Sequence, residues 1–162
     1  MKKIIVIGCP GSGKTTFAKK LRDKTGLPLY YLDSIWHKPD RTHISRDDFD
    51  TRLSEILRED SWIIDGNYQR TMPRRMEACD TVILFDLPTE VCIDGAQSRL
   101  LNNRDDIPWT DTKLDPDFKQ QIIDFNIKNT PIIYKLLDKY RLNRSIIIFK
   151  TREESDSFLN AL

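Results

Sequence analysis

The sequence predicts an α/β fold, a three-layer arrangement in which a five-stranded parallel sheet carries helices on both faces. Two observations predict it. Short, β-branched apolar runs alternate along the 162 residues with stretches of helical period, the pattern of successive strand-helix-strand units whose strands are buried on both sides. The first run, Ile4-Ile5-Val6-Ile7, leads directly into the glycine-rich stretch GCPGSGKTT, Gly8 to Thr16. No internal repeat or low-complexity linker interrupts the alternation, so residues 1–162 are expected to form one domain.

The strands are predicted at residues 3–7, 29–32, 62–65, 81–86 and 145–149, each bounded by turn residues or charge. A helix from about Lys14 to Lys24 follows the glycine-rich turn and stops at Gly26, with Pro28 beyond. After Ser45, the residues Phe49, Leu53, Ile56 and Leu57 recur at the spacing of one helical face. A helix following Pro88 is expected to run to about Asn103, where a polar stretch from Arg104 to Leu114 breaks the pattern. Asp115-Pro116 restarts it as N-cap and first-turn proline, with Phe118, Ile122 and Phe125 facing inward. Thr130-Pro131 reads as another such start, for a helix bearing Ile133, Leu136, Leu137 and Tyr140. Thr151 to Glu154 reads as a capping box, and the helix it opens is expected to bury Phe158, Leu159 and Leu162.

Composition narrows the function classes. Lys and Arg (26) nearly balance Asp and Glu (25), so the chain has no global positive field to hold it on nucleic acid, and direct nucleic-acid binding is not expected. The longest apolar runs have four residues, against the roughly 20 needed to cross a bilayer. The charged start lacks a signal-peptide core, so a cytoplasmic location without a membrane partner is expected. Cys9, Cys79 and Cys92 form no C-x-x-C pair, which suits reduced thiols and no structural metal. Nothing in the sequence signals an oligomeric state.

Gly8-Cys9-Pro10-Gly11-Ser12-Gly13-Lys14-Thr15 fits G-x-x-x-x-G-K-[ST] at every fixed position. Small residues there let successive backbone N–H groups converge on phosphate oxygens, and the following helix points its positive end at them. Lys14 is expected to reach the β and γ phosphates, the Thr15 hydroxyl to coordinate Mg²⁺, and Thr16 to add a phosphate hydrogen bond. Magnesium needs an acidic partner at the end of a neighbouring buried strand. Asp65, after Trp62-Ile63-Ile64 and before Gly66, is the first candidate, acting through water because Mg²⁺ dehydrates reluctantly; Asp86 competes.

GCPGSGKTT, LDSIW after the second strand, WIIDGNY at the third and two arginines before a short polar insertion together resemble the adenylate-kinase-like group of P-loop kinases. Within that group the chain is most similar to the small bacterial DNA-topology-modulation proteins. The resemblance covers nearly the whole chain. It implies a P-loop NTPase fold with a five-stranded parallel sheet, ATP as phosphoryl donor, a mobile lid at about residues 102–114, and an acceptor site beyond the second and third strands. Arg99 matches the first arginine at the lid base and Arg104 approximately the second, although the usual spacing of four is here five. Such cations offset the charge that phosphoryl transfer spreads over the equatorial oxygens.

Asp33 ends the second strand, where ligands of open α/β sheets collect. There it can orient or deprotonate an acceptor hydroxyl. Trp36 and Tyr68 offer stacking surface, and Arg70, Arg74 or Arg75 a cation for an acceptor phosphate or carboxylate; the family pattern favours Arg75. His37 and His43 read as surface residues. The sequence thus predicts a nucleoside/nucleotide-kinase-type phosphotransferase using Mg-ATP and a small-molecule acceptor. A nucleotide-binding regulatory protein affecting DNA topology is the alternative. A GTPase is disfavoured, because no N-K-x-D motif reads the base.

Overall fold

The middle strand is buried from Ile4 to Gly8, and the rest of the molecule is laid around it. The computed structural model describes residues 1–100, 102 and 104–162. Its strands are β1 (Lys3–Gly8), β2 (Leu29–Tyr31), β3 (Trp62–Asp65), β4 (Thr81–Phe85) and β5 (Ser145–Phe149). All pair in parallel, in the order β2-β3-β1-β4-β5, as the alternating pattern predicts. Ile4 to Ile7 are fully buried between β3 and β4, with Ile5 opposite Ile64 on one side and Val82 on the other.

The described helices are α1 (Lys14–Thr25), α2 (Leu32–Trp36), α3 (Arg46–Arg58), α4 (Met72–Ala78), α5 (Thr89–Ser98), α6 (Pro116–Asp124), α7 (Thr130–Tyr140) and α8 (Arg152–Asn160). From β1 the chain crosses by α1 to the edge strand β2, and every later crossover runs the opposite way along the sheet. Parallel crossovers are right-handed. The reversal therefore sends α1 to one face and α3, α4 and the α5–α7 run to the other. Packing agrees: Phe17 of α1 meets Phe85, Phe149 and Phe158 of α8 at ring separations of 5.2, 5.5 and 6.2 Å, while α4 lies against α7. Where the direction reverses, at the C-terminal ends of β1 and β3, the strands open a crevice.

Helix ends follow local chemistry. Gly26 closes α1 in the left-handed region (φ 70°), its N–H donating to Arg22 O. Ser45 caps Asp48 N at 3.0 Å, Asp115 caps Asp117 N at 2.8 Å, and Thr151 with Glu154 forms the expected capping box.

Four expectations need correction. Leu32 starts the short helix α2 instead of ending β2, and α4, with the 3₁₀ turn Gln69–Thr71 before it, has no counterpart in the sequence reading. Helices of five and seven residues are too short to display a face. Pro131 does not open a separate helix, because α6 runs into α7 through a π-turn at Phe125–Asn129. There Thr130 N donates to Phe125 O, the widened turn being one way a helix accommodates a proline ring. The helix after Pro88 is helical to Ser98; of its expected end, Leu101 and Asn103 lie outside the described residues. Finally, Leu162 is 52% exposed, beyond the last turn of α8 that buries Leu159.

Burial separates two apolar truncations. Ile63→Ala, fully enclosed in β3, is expected to cost about 3 kcal/mol in urea unfolding. Leu162→Ala is expected to cost no more than about 0.5 kcal/mol in the same measurement.

Candidate functional site

The loop after β1 takes its shape from three glycines with left-handed φ, Gly8 (140°), Gly11 (83°) and Gly13 (101°). Two of them also leave no room for a side chain. A Cβ on Gly8 would lie 2.3 Å from Phe85 O, and one on Gly11 would lie 1.9 Å from Cys92 O of α5. Opposite Gly11, α5 carries Gly95, whose own Cβ would meet Gly11 O at 2.0 Å. The loop is thus pressed against α5 backbone to backbone. Gly13 is the N-cap of α1, and the first turn of α1 contains no carboxylate. Its first amides, which have no intrahelical partner, therefore present an uncancelled positive end.

Lys14 and Thr15 line a cavity of about 490 Å³, with Pro10 on its rim. Gly11, Ser12, Gly13 and Thr16 line an adjoining cleft of about 370 Å³. Gly8 and Cys9 lie behind the loop and shape it without lining either space. The Lys14 ammonium donates to Cys9 O at 3.2 Å. Arg152, which the sequence reading passed over, joins the cleft and donates to Gly11 O and Val91 O.

Asp65 sits where the metal partner was expected. Its carboxylate is 5% exposed and accepts the Thr15 hydroxyl at 2.7 Å through Oδ2. Among the described residues Oδ1 has no partner. Burial pushes the carboxyl up to about 6, against the pull of Lys14 and the Thr15 hydrogen bond. A buried carboxylate with one idle oxygen beside a serviceable hydroxyl is a donor set that suits a hard, oxygen-seeking cation. Asp86 is engaged elsewhere. It accepts from Tyr134 at 2.7 Å, pairs with Lys150, and lines neither cavity.

The opposite wall comes from the ends of β2 and β3. Asp33 and Tyr68 both line the cavity, joined by a hydrogen bond from the Tyr68 hydroxyl to Asp33 Oδ1 at 2.7 Å. Burial and the neighbouring Asp33 push the Tyr68 phenol well up, so it remains a donor. Tyr31 adds a half-buried ring to the same wall, and its hydroxyl oxygen has no partner among the described residues. Trp36 does not reach this wall. It stacks on His43 at 4.2 Å and packs edge-on against Phe49 and Tyr68, behind the cavity lining. His37, read as a surface residue, lines the cavity and meets Trp109 edge-on.

Arg75 is the largest departure from expectation. Its side chain is fully buried and donates to Gly66 O at 2.8 Å, to Asn67 O and to Tyr68 O at 3.2 Å. It does not line the cavity. An acceptor phosphate cannot reach a guanidinium buried behind the loop that it holds. Arg70 pairs with Asp50 at 2.7 Å and Arg74 donates to Ser54, both away from the cavity. The loop held by Arg75 carries Asn67, which the sequence reading left without a role. Its carboxamide clasps the Gly8 peptide in both directions, accepting from Gly8 N at 2.9 Å and donating to Gly8 O at 2.8 Å.

The polar insertion closes the cavity from the third side. Arg99, at the C-cap of α5, lines both spaces, and its Nε is buried without a partner among the described residues. Burial, then the neighbouring Arg104, draws its guanidinium below the ordinary arginine range. Arg104 also lines both spaces but is held by Asp106, its Nε donating to Oδ1 at 2.9 Å. Against the cost of burial, Arg104 keeps the Asp106 carboxyl below the usual range. Asp106 is only 3% exposed and had no signal in sequence beyond its charge. The insertion is fastened by Ser34 to Asp106 O at 2.8 Å, by Lys19 to Asp105 at 2.6 Å, and by Arg41 lying over the Trp109 ring at 5.2 Å.

Two curated relatives, both adenylate kinases of Thermotoga neapolitana, are 28% identical over 80 residues. The matched segment is 49% of this chain and 36% of each relative, so the chain spans little more than a third of their length. A family model described as an AAA domain matches residues 4–100, from β1 through α5. That match covers more than half of the sequence, and the chain belongs to the AAA domain family, with the α/β fold and phosphate loop of P-loop NTPases.

Proposed function

We propose that the protein is an ATP-dependent phosphotransferase of the nucleoside/nucleotide-kinase type, which moves the γ-phosphoryl group of Mg-ATP to a hydroxyl of a small acceptor. One observation carries this reading. The phosphate loop with its Thr15–Asp65 pair and the Asp33–Tyr68 pair face each other across one cavity of about 490 Å³. A simple hydrolase needs no second pocket with a carboxylate in its wall.

In this reading the loop amides from Gly11 to Thr16 and the Lys14 ammonium bind the phosphates. Thr15 and Asp65 would hold Mg²⁺, which when bound would neutralise phosphate charge. The acceptor oxygen attacks the γ-phosphorus, and the bond from that phosphorus to the β–γ bridging oxygen breaks. ADP leaves with the electron pair. The hydroxyl proton passes to the Asp33 oxygen that Tyr68 does not engage, and from there to solvent. Arg99, with one edge of its guanidinium uncommitted, offsets the charge on the transferring group. Arg104 contributes only when it parts from Asp106. The insertion acts as the lid that keeps water from the γ-phosphate.

The test is ADP release from Mg-ATP by the full chain with nucleosides, nucleotides, sugars or DNA added in turn. Acceptor-dependent ADP with a phosphorylated product is expected, and Lys14→Ala should lower it on the order of 100-fold or more. Stimulation by DNA alone would instead favour the regulatory alternative.

Asp65 allows a second measurement, made with chelator present. Burial holds the folded-state carboxyl up at about 6, above the ordinary aspartate range, so the folded chain binds more protons between that range and 6, and stability falls as pH rises through the window. Asp65→Asn should remove this dependence. At pH 7 the variant should be more stable than the parent by on the order of 2 kcal/mol, while acceptor-dependent turnover is lost.

A further inference from the structure

We infer that the acceptor is a neutral, polyhydroxylated molecule and not a phosphate ester; this rests on the phosphotransferase reading above. A phosphate on the acceptor calls for a dedicated cation or a helix N-terminus at its end of the cavity. The wall formed by Tyr31, Asp33 and Tyr68 offers neither among its described residues; Arg41 and Lys113 line other parts of the cavity, and the α6 N-terminus there carries Asp115 and Asp117. Arg75 is consumed by the carbonyls of Gly66, Asn67 and Tyr68, and Arg70 and Arg74 are engaged outside the cavity. The helix that starts at this wall, α2, has the Asp33 carboxylate in its first turn, which repels an anion.

The charge of the whole cavity points the same way. Its described lining holds five Lys or Arg side chains and five Asp side chains. A donor polyphosphate engages Lys14 and Arg99. Of the rest, Arg104 is bound by the buried Asp106, and Arg41 lies over Trp109 with Asp111 at 3.7 Å. A second phosphate group would enter a site whose described lining carries no excess of positive side chains.

What the wall does provide is hydroxyl recognition. Asp33 accepts, Tyr68 donates to it, and the Tyr31 hydroxyl lies buried without a partner among the described residues. Burial pushes the Tyr31 phenol up to about 12, so it stays protonated as a donor. An acceptor with several hydroxyls fills these positions; a site built on such bonds discriminates strongly against ligands that leave them unmade.

Matched pairs test the inference: nucleosides against their 5′-monophosphates, and hexoses against their 6-phosphates, each with the full chain and Mg-ATP. Product mass identifies which source supplies the alcohol. The neutral member of at least one pair is expected to be preferred by about tenfold or more in kcat/KM. Tyr31→Phe is expected to raise KM for that acceptor several-fold and leave KM for ATP unchanged. Preference for the phosphorylated member, or an unaltered acceptor KM in Tyr31→Phe, overturns the inference and leaves the phosphotransferase reading standing. ADP release that no acceptor stimulates overturns both.

Discussion

A buried guanidinium holds the two halves of this site together. Taking the Arg75 charge out of water costs several kcal/mol, and the cost shows in a guanidinium drawn down to about 10 by burial. Three carbonyls in succession offset part of it, each a charge-assisted bond worth about 1.5–3 kcal/mol, while Nε has no partner among the described residues. The loop so held turns through Tyr68 at φ 35°, a conformation rare for a residue with a side chain. From that loop Asn67 grips Gly8 on the donor side, and Tyr68 grips Asp33 on the acceptor side. One side chain outside the cavity thus ties the phosphate loop and the opposite wall to a single loop.

The donor side was legible in sequence because its physics is local. A run of glycines, a lysine and a threonine at fixed offsets dictates a backbone shape and a charge, and the buried strand before it dictates where that shape sits. Asp65 could be named for a similar reason, since strand ends in a parallel sheet converge on the crevice. The acceptor side was not legible to the same degree. Arg70, Arg74 and Arg75 are chemically identical in sequence, and only the packing of α4, a helix too short to show a face, decides that Arg75 points inward. Trp36 reads as a recognition residue by type, yet His43 and Phe49, brought in from the following loop and α3, cover its ring. Gly95 carried no motif at all. Its meaning lies in a contact with Gly11, 84 positions away in the chain.

Asp65 illustrates what such a site costs. A carboxylate with an unpaired oxygen in the interior opposes folding, and neither the Thr15 hydroxyl nor the Lys14 charge fully relieves it. The fold tolerates this because the surrounding β1, β3 and β4 residues are fully enclosed and resist relaxation. The retained strain is electrostatic. In the proposed phosphotransferase, a cation bound with a polyphosphate would relieve it at the position where transfer needs positive charge.

The same reasoning applies to the insertion, with the signs exchanged. Burial and then the nearby Arg104 draw the Arg99 guanidinium down, and clustered cations need a counter-charge. Asp106 supplies it from within the insertion, where its buried carboxylate binds Arg104 and its carbonyl is tied to Ser34 of α2. A polyphosphate drawn toward Arg104 competes with Asp106 for the same guanidinium. Once displaced, Asp106 would be a buried carboxylate without a partner, a state more costly than exposure to water. In the proposed phosphotransferase the insertion would thereby respond to phosphate through the Arg104–Asp106 pair, against its other fastenings at Ser34, Lys19 and Arg41.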